Sequence, residues 1–330
     1  MPDLIFVIIV ILIALIFDFI NGFHDAANAI ATIVATNVLK PRNAVLLAAF
    51  WNFFGTFVFG VAVAKTIGTG VVNPNVVNIY IILAALIGAI LWNIVTWYYG
   101  IPSSSSHALI GGLIGAGIIS SGFKSIILSG LIKILLFISI APLLGFLGAI
   151  IFTVLLMWIF KNSAPSKINV YFKKLQMVSS SFYSLGHGTN DAQKTMGIIA
   201  LLLFTSHLTA NFYVPKWVIF ASYTSIALGT FFGGWRIVKT MGLKITKLKP
   251  FHGFSAESSG GLVLLFTGLF GIPVSTTHVI SGSIIGVGSV RRYSGVRWQI
   301  ARKIIWAWIL TIPISAIIGS LSYFVIKLFL

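Results

Sequence analysis

The chain opens on LIFVIIVILIALIF at positions 4–17 and returns repeatedly to apolar runs long enough to cross a bilayer. In hydrocarbon every backbone N–H and C=O must find its partner inside the element, so apolar runs of about 20 residues predict helices. With 58% hydrophobic and 8% charged residues and a mean hydropathy of +1.04, the expected fold is an all-α polytopic membrane protein. The first run follows Met-Pro-Asp without a basic segment or a small-residue cleavage site and reads as a retained helix, not a signal peptide. With no cysteine, the redox compartment is open. A formal charge of +17 would suggest nucleic acid in a soluble chain. Here no aromatic-interleaved basic patch occurs, and basic residues collect in short cytoplasmic loops of membrane proteins. Lipid is the expected partner and nucleic acid is not.

Two stretches, GIPSSSSHALIGGLIGAG at 100–117 and GIPVSTTHVISGSIIGVG at 271–288, resemble each other at an offset of 171. The same offset carries Pro142 onto Pro313 and Gly148 onto Gly319, and an offset of 166 carries Asp25 onto Asp191. The expected halves are 1–160 and 161–330, with hairpin tips at 101–107 and 272–278, joined by KNSAPSKINVYFKK. Each half is read as a broken helix, a full helix, a re-entrant helical hairpin and a final long helix. Four loops then share one side: Lys40 and Arg42; Lys161, Lys167, Lys173 and Lys174; Arg236, Lys239, Lys244, Lys247 and Lys249; Arg291, Arg292, Arg297, Arg302 and Lys303. These are sixteen of the 22 basic residues, while the opposite loops at 66–78, 119–125 and 207–216 hold Lys124 and Lys216. The positive-inside rule makes the sixteen cytoplasmic, puts both termini outside and inserts the two hairpins from opposite sides. That is an inverted-topology repeat with broken helices at the midplane, the architecture of secondary transporters.

Four of the five acidic residues, Asp18, Asp25, Asp191 and Glu257, fall in expected membrane segments. A charge at that depth costs about 2.5–3.5 kcal/mol on insertion scales. Asp18, Asn21, Asp25, Asn28 and Thr32 share one helical face, as do Ser180, Ser184, His187, Asp191 and Lys194. A lone Asn or Ser is readily explained as glue between helices. Two matched stripes with carboxylates point instead to a transport path. At each tip Ile-Pro precedes hydroxyls: Ser103, Ser104, Ser105 and Ser106 in one, Ser275, Thr276 and Thr277 in the other. Proline followed by Ser or Thr marks a helix start. Two helix N-termini converging at mid-membrane make an anion site. His107 and His278 close the tips and are expected to cap or buttress them. Gly111, Gly112, Gly115 and Gly117, matched by Gly282, Gly286 and Gly288, allow close helix packing.

An anion entering a negative-inside cell moves against about 2.3 kcal/mol per charge per 100 mV, which a co-transported cation offsets. Asp25 and Asp191, with Asn28 and Asn190, are candidates for Na⁺ through oxygen ligands, or for H⁺ on a carboxylate. Buried acceptors suit phosphate, which keeps P–OH groups near pH 7, over sulfate, which has none to donate. Lys194 can counter Asp191, touch the anion, or snorkel to the surface. His24 and His187 are proton-relay candidates. His207 and His252 lie at expected membrane boundaries and carry no assigned role. No HExxH, GxSxG or P-loop pattern occurs, so no enzyme, resident cofactor or structural metal is expected.

GFHDAANAIAT at 22–32 and GHGTNDAQKTMG at 186–197, with IPSSSSH and IPVSTTH, resemble the paired signatures of the inorganic phosphate transporter (PiT) family across essentially the whole chain. The resemblance implies a cation-coupled phosphate symporter of the cytoplasmic membrane with inverted repeats, usually a homodimer. It assigns substrate and ion sites to Asp25 with Asn28, Asn190 with Asp191, Ser104 to Ser106, and Ser275 to Thr277. Glu257 matches a family glutamate; its partner on the 171 offset is Leu86. Sodium-coupled members typically read NDVAN or NDAAN in both halves, whereas this chain has HDAAN and NDAQK, placing Lys194 where Asn28 sits in the first copy. That resembles the proton-coupled bacterial branch, whose substrate is often a neutral metal phosphate. The connecting stretch at 161–175 is too short for a regulatory domain. The rival expectations are a sulfate permease on the same scaffold and an uncoupled anion channel.

Overall fold

The computed structural model describes residues 3–58 and 60–329, Arg291 by its backbone alone. The expected placement of the termini and the side chain of Arg291 fall outside the described residues. The first half runs α1 (Leu4–Ala35), α2 (Pro41–Phe54), α3 (Ala62–Gly70), α4 (Ile79–Tyr99), α5 (Ser105–Ser121) and α6 (Leu128–Ile159). The second runs α7 (Pro165–Thr205), α8 (Lys216–Phe232), α9 (Trp235–Lys239) with a π turn at Thr240–Lys244, α10 (Pro250–Leu269), α11 (Thr276–Arg291) and α12 (Trp298–Leu328). Pro41, Pro165 and Pro250 open α2, α7 and α10, where a missing N–H breaks no intrahelical bond. The fold is all-α: the described residues hold five helices long and apolar enough to cross a membrane, or seven if each bent pair counts as one span.

The broken helix expected at the start of each half is not there. α1 and α7 run unbroken through Asp25 and Asp191, and the breaks fall one element later, between α2 and α3 and between α8 and α9, the latter bent by 60°. The motif side chains find partners on other helices, so the backbone has no need to unwind, whereas Gly233, at φ +70°, and Gly234 turn the chain after α8. Arg236 and Lys239, expected in a loop, consequently lie on α9, alongside α1.

α4 and α5 make one helical hairpin, and α10 and α11 make another. α4 ends at Gly100 and α10 is followed by Gly271, both at φ +64°, a left-handed turn that aims the next Ile-Pro back into the bundle. Val72 pairs with Ile126 at the base of α4–α5, and Thr246 pairs with Val296 at the base of α10–α11. The second base sits at the end where α1 finishes, since Gly242 abuts Ala31 and Ala35. The first base sits at the opposite end, where α3 packs on the C-terminal part of α7 through Gly68 and Gly197. The inner helices cross between halves: α5 packs on α12, with Gly111 against Ile312 and Gly115 against Ala316, and α11 packs on α6, with Gly282 against Pro142 and Gly286 against Phe146. A β-carbon at Gly282 would stand 3.0 Å from the Pro142 carbonyl carbon, so these contacts need the glycines.

Candidate functional site

Each tip begins a helix by the same device. Ser104 Oγ accepts from the His107 N–H at 3.3 Å, and Ser275 Oγ accepts from the His278 N–H at 3.2 Å. The hydroxyl runs therefore divide, with Ser104 and Ser275 spent on capping while Ser105, Ser106, Thr276 and Thr277 face the charged residues. The His107 and His278 rings meet edge-on with centroids 4.7 Å apart, and His278 stacks on Trp308 at 4.0 Å. They buttress the tips rather than cap them.

Between the tips stand the two motif stripes. Ser105 Oγ donates to Asp25 Oδ1 at 3.3 Å, Thr277 Oγ1 to Asp25 Oδ2 at 3.4 Å, and Thr276 Oγ1 to Asp191 Oδ2 at 3.0 Å. Asn28 Nδ2 donates to Thr277 Oγ1 at 2.9 Å and Thr276 Oγ1 at 3.2 Å, tying α1 to the second tip. Lys194 Nζ donates to Asp191 Oδ1 at 2.5 Å, to the Val274 carbonyl at 2.8 Å, and to Ser106 Oγ. It joins both tips and, at 1% exposure, does not snorkel. His24 Nδ1 lies 2.5 Å from Asp25 Oδ1, and its Nε2 lies 3.0 Å from Thr96 Oγ1 and 3.4 Å from Ser103 Oγ. His187 Nε2 lies 3.3 Å from Asp191 Oδ2, with Nδ1 3.3 Å from Asn52 Oδ1. One ligand atom each from Asp25, His187 and Asp191 falls within 4.8 Å of the others, a spacing that suits one cation. All of these groups are buried.

Asn190 and Glu257 do not join this ring. Asn190 Nδ2 is bound to the carbonyls of Gly186 and Leu264, toward α10. Glu257 is fully buried in its own pocket, accepting from Thr32 Oγ1 at 2.5 Å and Gln176 Nε2 at 3.0 Å on Oε1, and from Ser179 Oγ at 2.5 Å on Oε2. Sequence reasoning overlooked Gln176, Ser179 and Tyr183, whose hydroxyl donates to the Thr276 carbonyl at 2.9 Å. Gln176 lies four residues before Ser180 and Tyr183 three after it, on the α7 stripe, and Ser179 is the residue beside it in the chain. It also overlooked Gln193, whose Oε1 accepts from the Val63 and Ala64 N–H groups at the start of α3. Nothing in local sequence marks that pairing.

A family model described as the phosphate transporter family matches residues 21–319. A Rhizobium meliloti (strain 1021) protein named "Probable low-affinity inorganic phosphate transporter" is 56% identical over 315 residues, spanning 95% of this chain and 94% of the relative. A Bacillus subtilis (strain 168) protein of the same name is 48% identical, with 98% of each chain covered. The solved structure named "The sodium-dependent phosphate transporter" superposes with a TM-score of 0.88 at 26% identity, over 99% of this chain and 100% of that one.

Proposed function

The chain belongs to the phosphate transporter family, a family of transporters and not of enzymes, and from that premise we propose that it imports inorganic phosphate by cation symport through alternating access, with H⁺ favoured over Na⁺ as the coupling ion. The observation that carries this reading is the ring of buried donors and acceptors in which both hairpin tips are bound to Asp25, Asp191 and Lys194. Ser105, Thr276, Thr277 and Lys194 are the donors a tetrahedral anion needs, helped by the positive ends of α5 and α11. In the structure those donors are engaged by the two carboxylates. A cation arriving at Asp25 and Asp191 neutralises them and releases the donors to phosphate, so each ligand strengthens the other's binding by the same factor. His24 and His187, each beside one aspartate, are the residues through which a proton reaches them.

The division at 160/161 into two oppositely inserted repeats belongs to this reading, supported by hairpin bases at opposite ends and by the 171-residue offset. The same reading has a homodimer in the cytoplasmic membrane, and its placement of both termini outside is supported by the basic residues that fall in the loops assigned to the other side. A metal–phosphate complex is the second form of substrate, favoured by the Asp25, His187 and Asp191 triad. Purified protein in liposomes tests the whole. Phosphate should accumulate when a pH gradient is imposed, less so with a Na⁺ gradient, and added divalent metal should raise the rate if the complex is carried. Sulfate uptake that excess phosphate cannot block would replace the substrate assignment, and indifference to both gradients would leave an uncoupled channel.

A further inference from the structure

Two buried carboxylates stand outside the ring, and they differ in company. Glu257 accepts hydrogen bonds from three side chains, whereas neither oxygen of Asp18, at 0% exposure, has a hydrogen-bond partner among the described residues. Asn21 and Thr195 flank Asp18, and α8 closes over it: Ser225 Oγ donates to the Leu15 carbonyl at 2.6 Å, which brings Ser222 and Tyr223 onto this stretch of α1. Asn21 Oδ1, Thr195 Oγ1, Ser222 Oγ and the Tyr223 hydroxyl are likewise buried without partners, so unsatisfied oxygens collect between α1, α7 and α8. The ionisable groups facing Asp18 are Asp191 and Lys194 from α7 and Tyr223 from α8. Lys194 already gives its charge to Asp191 at 2.5 Å, so no fixed cation is left for Asp18. A buried carboxylate with neutral Asn21 and Thr195 beside it and no cationic partner is the arrangement proteins avoid unless a proton or a bare cation cancels it.

We propose that Asp18, with Asn21 and Thr195, is a second cation site for a hard monovalent ion, H⁺ or Na⁺, separate from the Asp25 and Asp191 pair. It lies seven residues, about 10 Å of helix rise, before Asp25, on the side away from the basic loops. In the orientation proposed above, a cation from outside meets it before reaching the ring. The site stands on geometry and holds whether or not phosphate is the cargo.

Infrared difference spectroscopy on the purified protein in phosphate-free buffer tests it with H⁺ and Na⁺ alone as probes. Wild type without Na⁺ should show a carboxylic acid C=O stretch that Asp18→Asn removes and Asp25→Asn keeps. Loss of that stretch on raising pH identifies the proton as occupant. Its replacement by a carboxylate stretch at saturating Na⁺, absent in Asp18→Asn, identifies sodium. Thr195→Val keeps the carboxyl group and should shift the titration midpoint or the Na⁺ affinity by several-fold, so misfolding of the Asp18 variant leaves the test intact. An Asp18 carboxylate ionised throughout, indifferent to Na⁺ and unmoved by Thr195→Val, overturns the site and leaves the phosphate reading standing.

Discussion

Asp25 and Asp191 hold matching places in the two halves and are neutralised differently. Asp25 has a histidine beside it in the chain, 2.5 Å away, and hydroxyls from both tips. Asp191 has a lysine one turn on, also at 2.5 Å, a histidine one turn back at 3.3 Å, and a hydroxyl from the second tip. An imidazole can donate from one ring nitrogen and accept at the other, whereas an ammonium only donates. Each aspartate has an imidazole beside it, and Asp191 alone adds an ammonium.

The largest test of that contrast removes one aspartate at a time. Both Asp25→Asn and Asp191→Asn should abolish gradient-driven uptake. Asp191→Asn should in addition strand the Lys194 ammonium, destabilising the fold by about 3–5 kcal/mol, while Asp25→Asn leaves His24 an amide to hydrogen-bond and should cost less. Thermal unfolding in detergent separates the two, and Lys194→Met added to Asp191→Asn should recover stability. Equal destabilisation by the two single variants would end the distinction. Next, Lys194→Asn copies Asn28 into the second half. Losing a charge-assisted hydrogen bond worth about 1.5–3 kcal/mol, it should weaken apparent phosphate affinity at least tenfold and steepen the dependence of uptake on the coupling cation. A smaller effect is expected in the Glu257 pocket, where the halves also part company. Glu257→Leu copies Leu86 and leaves Thr32, Gln176 and Ser179 without their acceptor, at about 1–3 kcal/mol in unfolding measurements, with Glu257→Gln milder. The least is expected where the halves match: Ser104→Ala and Ser275→Ala should each cost about 0.5–2 kcal/mol, and by similar amounts, because each removes one cap.

Composition and repetition determined a good deal unaided. Apolar runs dictate helices because hydrocarbon offers the backbone no other partner, and Gly100–Ile-Pro and Gly271–Ile-Pro mark the hairpin turns because their φ preferences are local. The stripes from Asp18 to Thr32 and from Ser180 to Lys194 were legible from a period of 3.6, and every member proved buried. What a period cannot convey is which group across the bundle answers each side chain. Tertiary packing alone decided that Asp25 and Asp191 leave α1 and α7 unbroken, that Lys194 bridges both tips, that Asn190 and Glu257 turn elsewhere, and that Asp18 finds no cationic partner among the described residues. Helical phase is a property of neighbours in the chain, whereas the hydrogen bonds that Asp25, Asp191 and Glu257 accept across the bundle join atoms 78 to 252 residues apart.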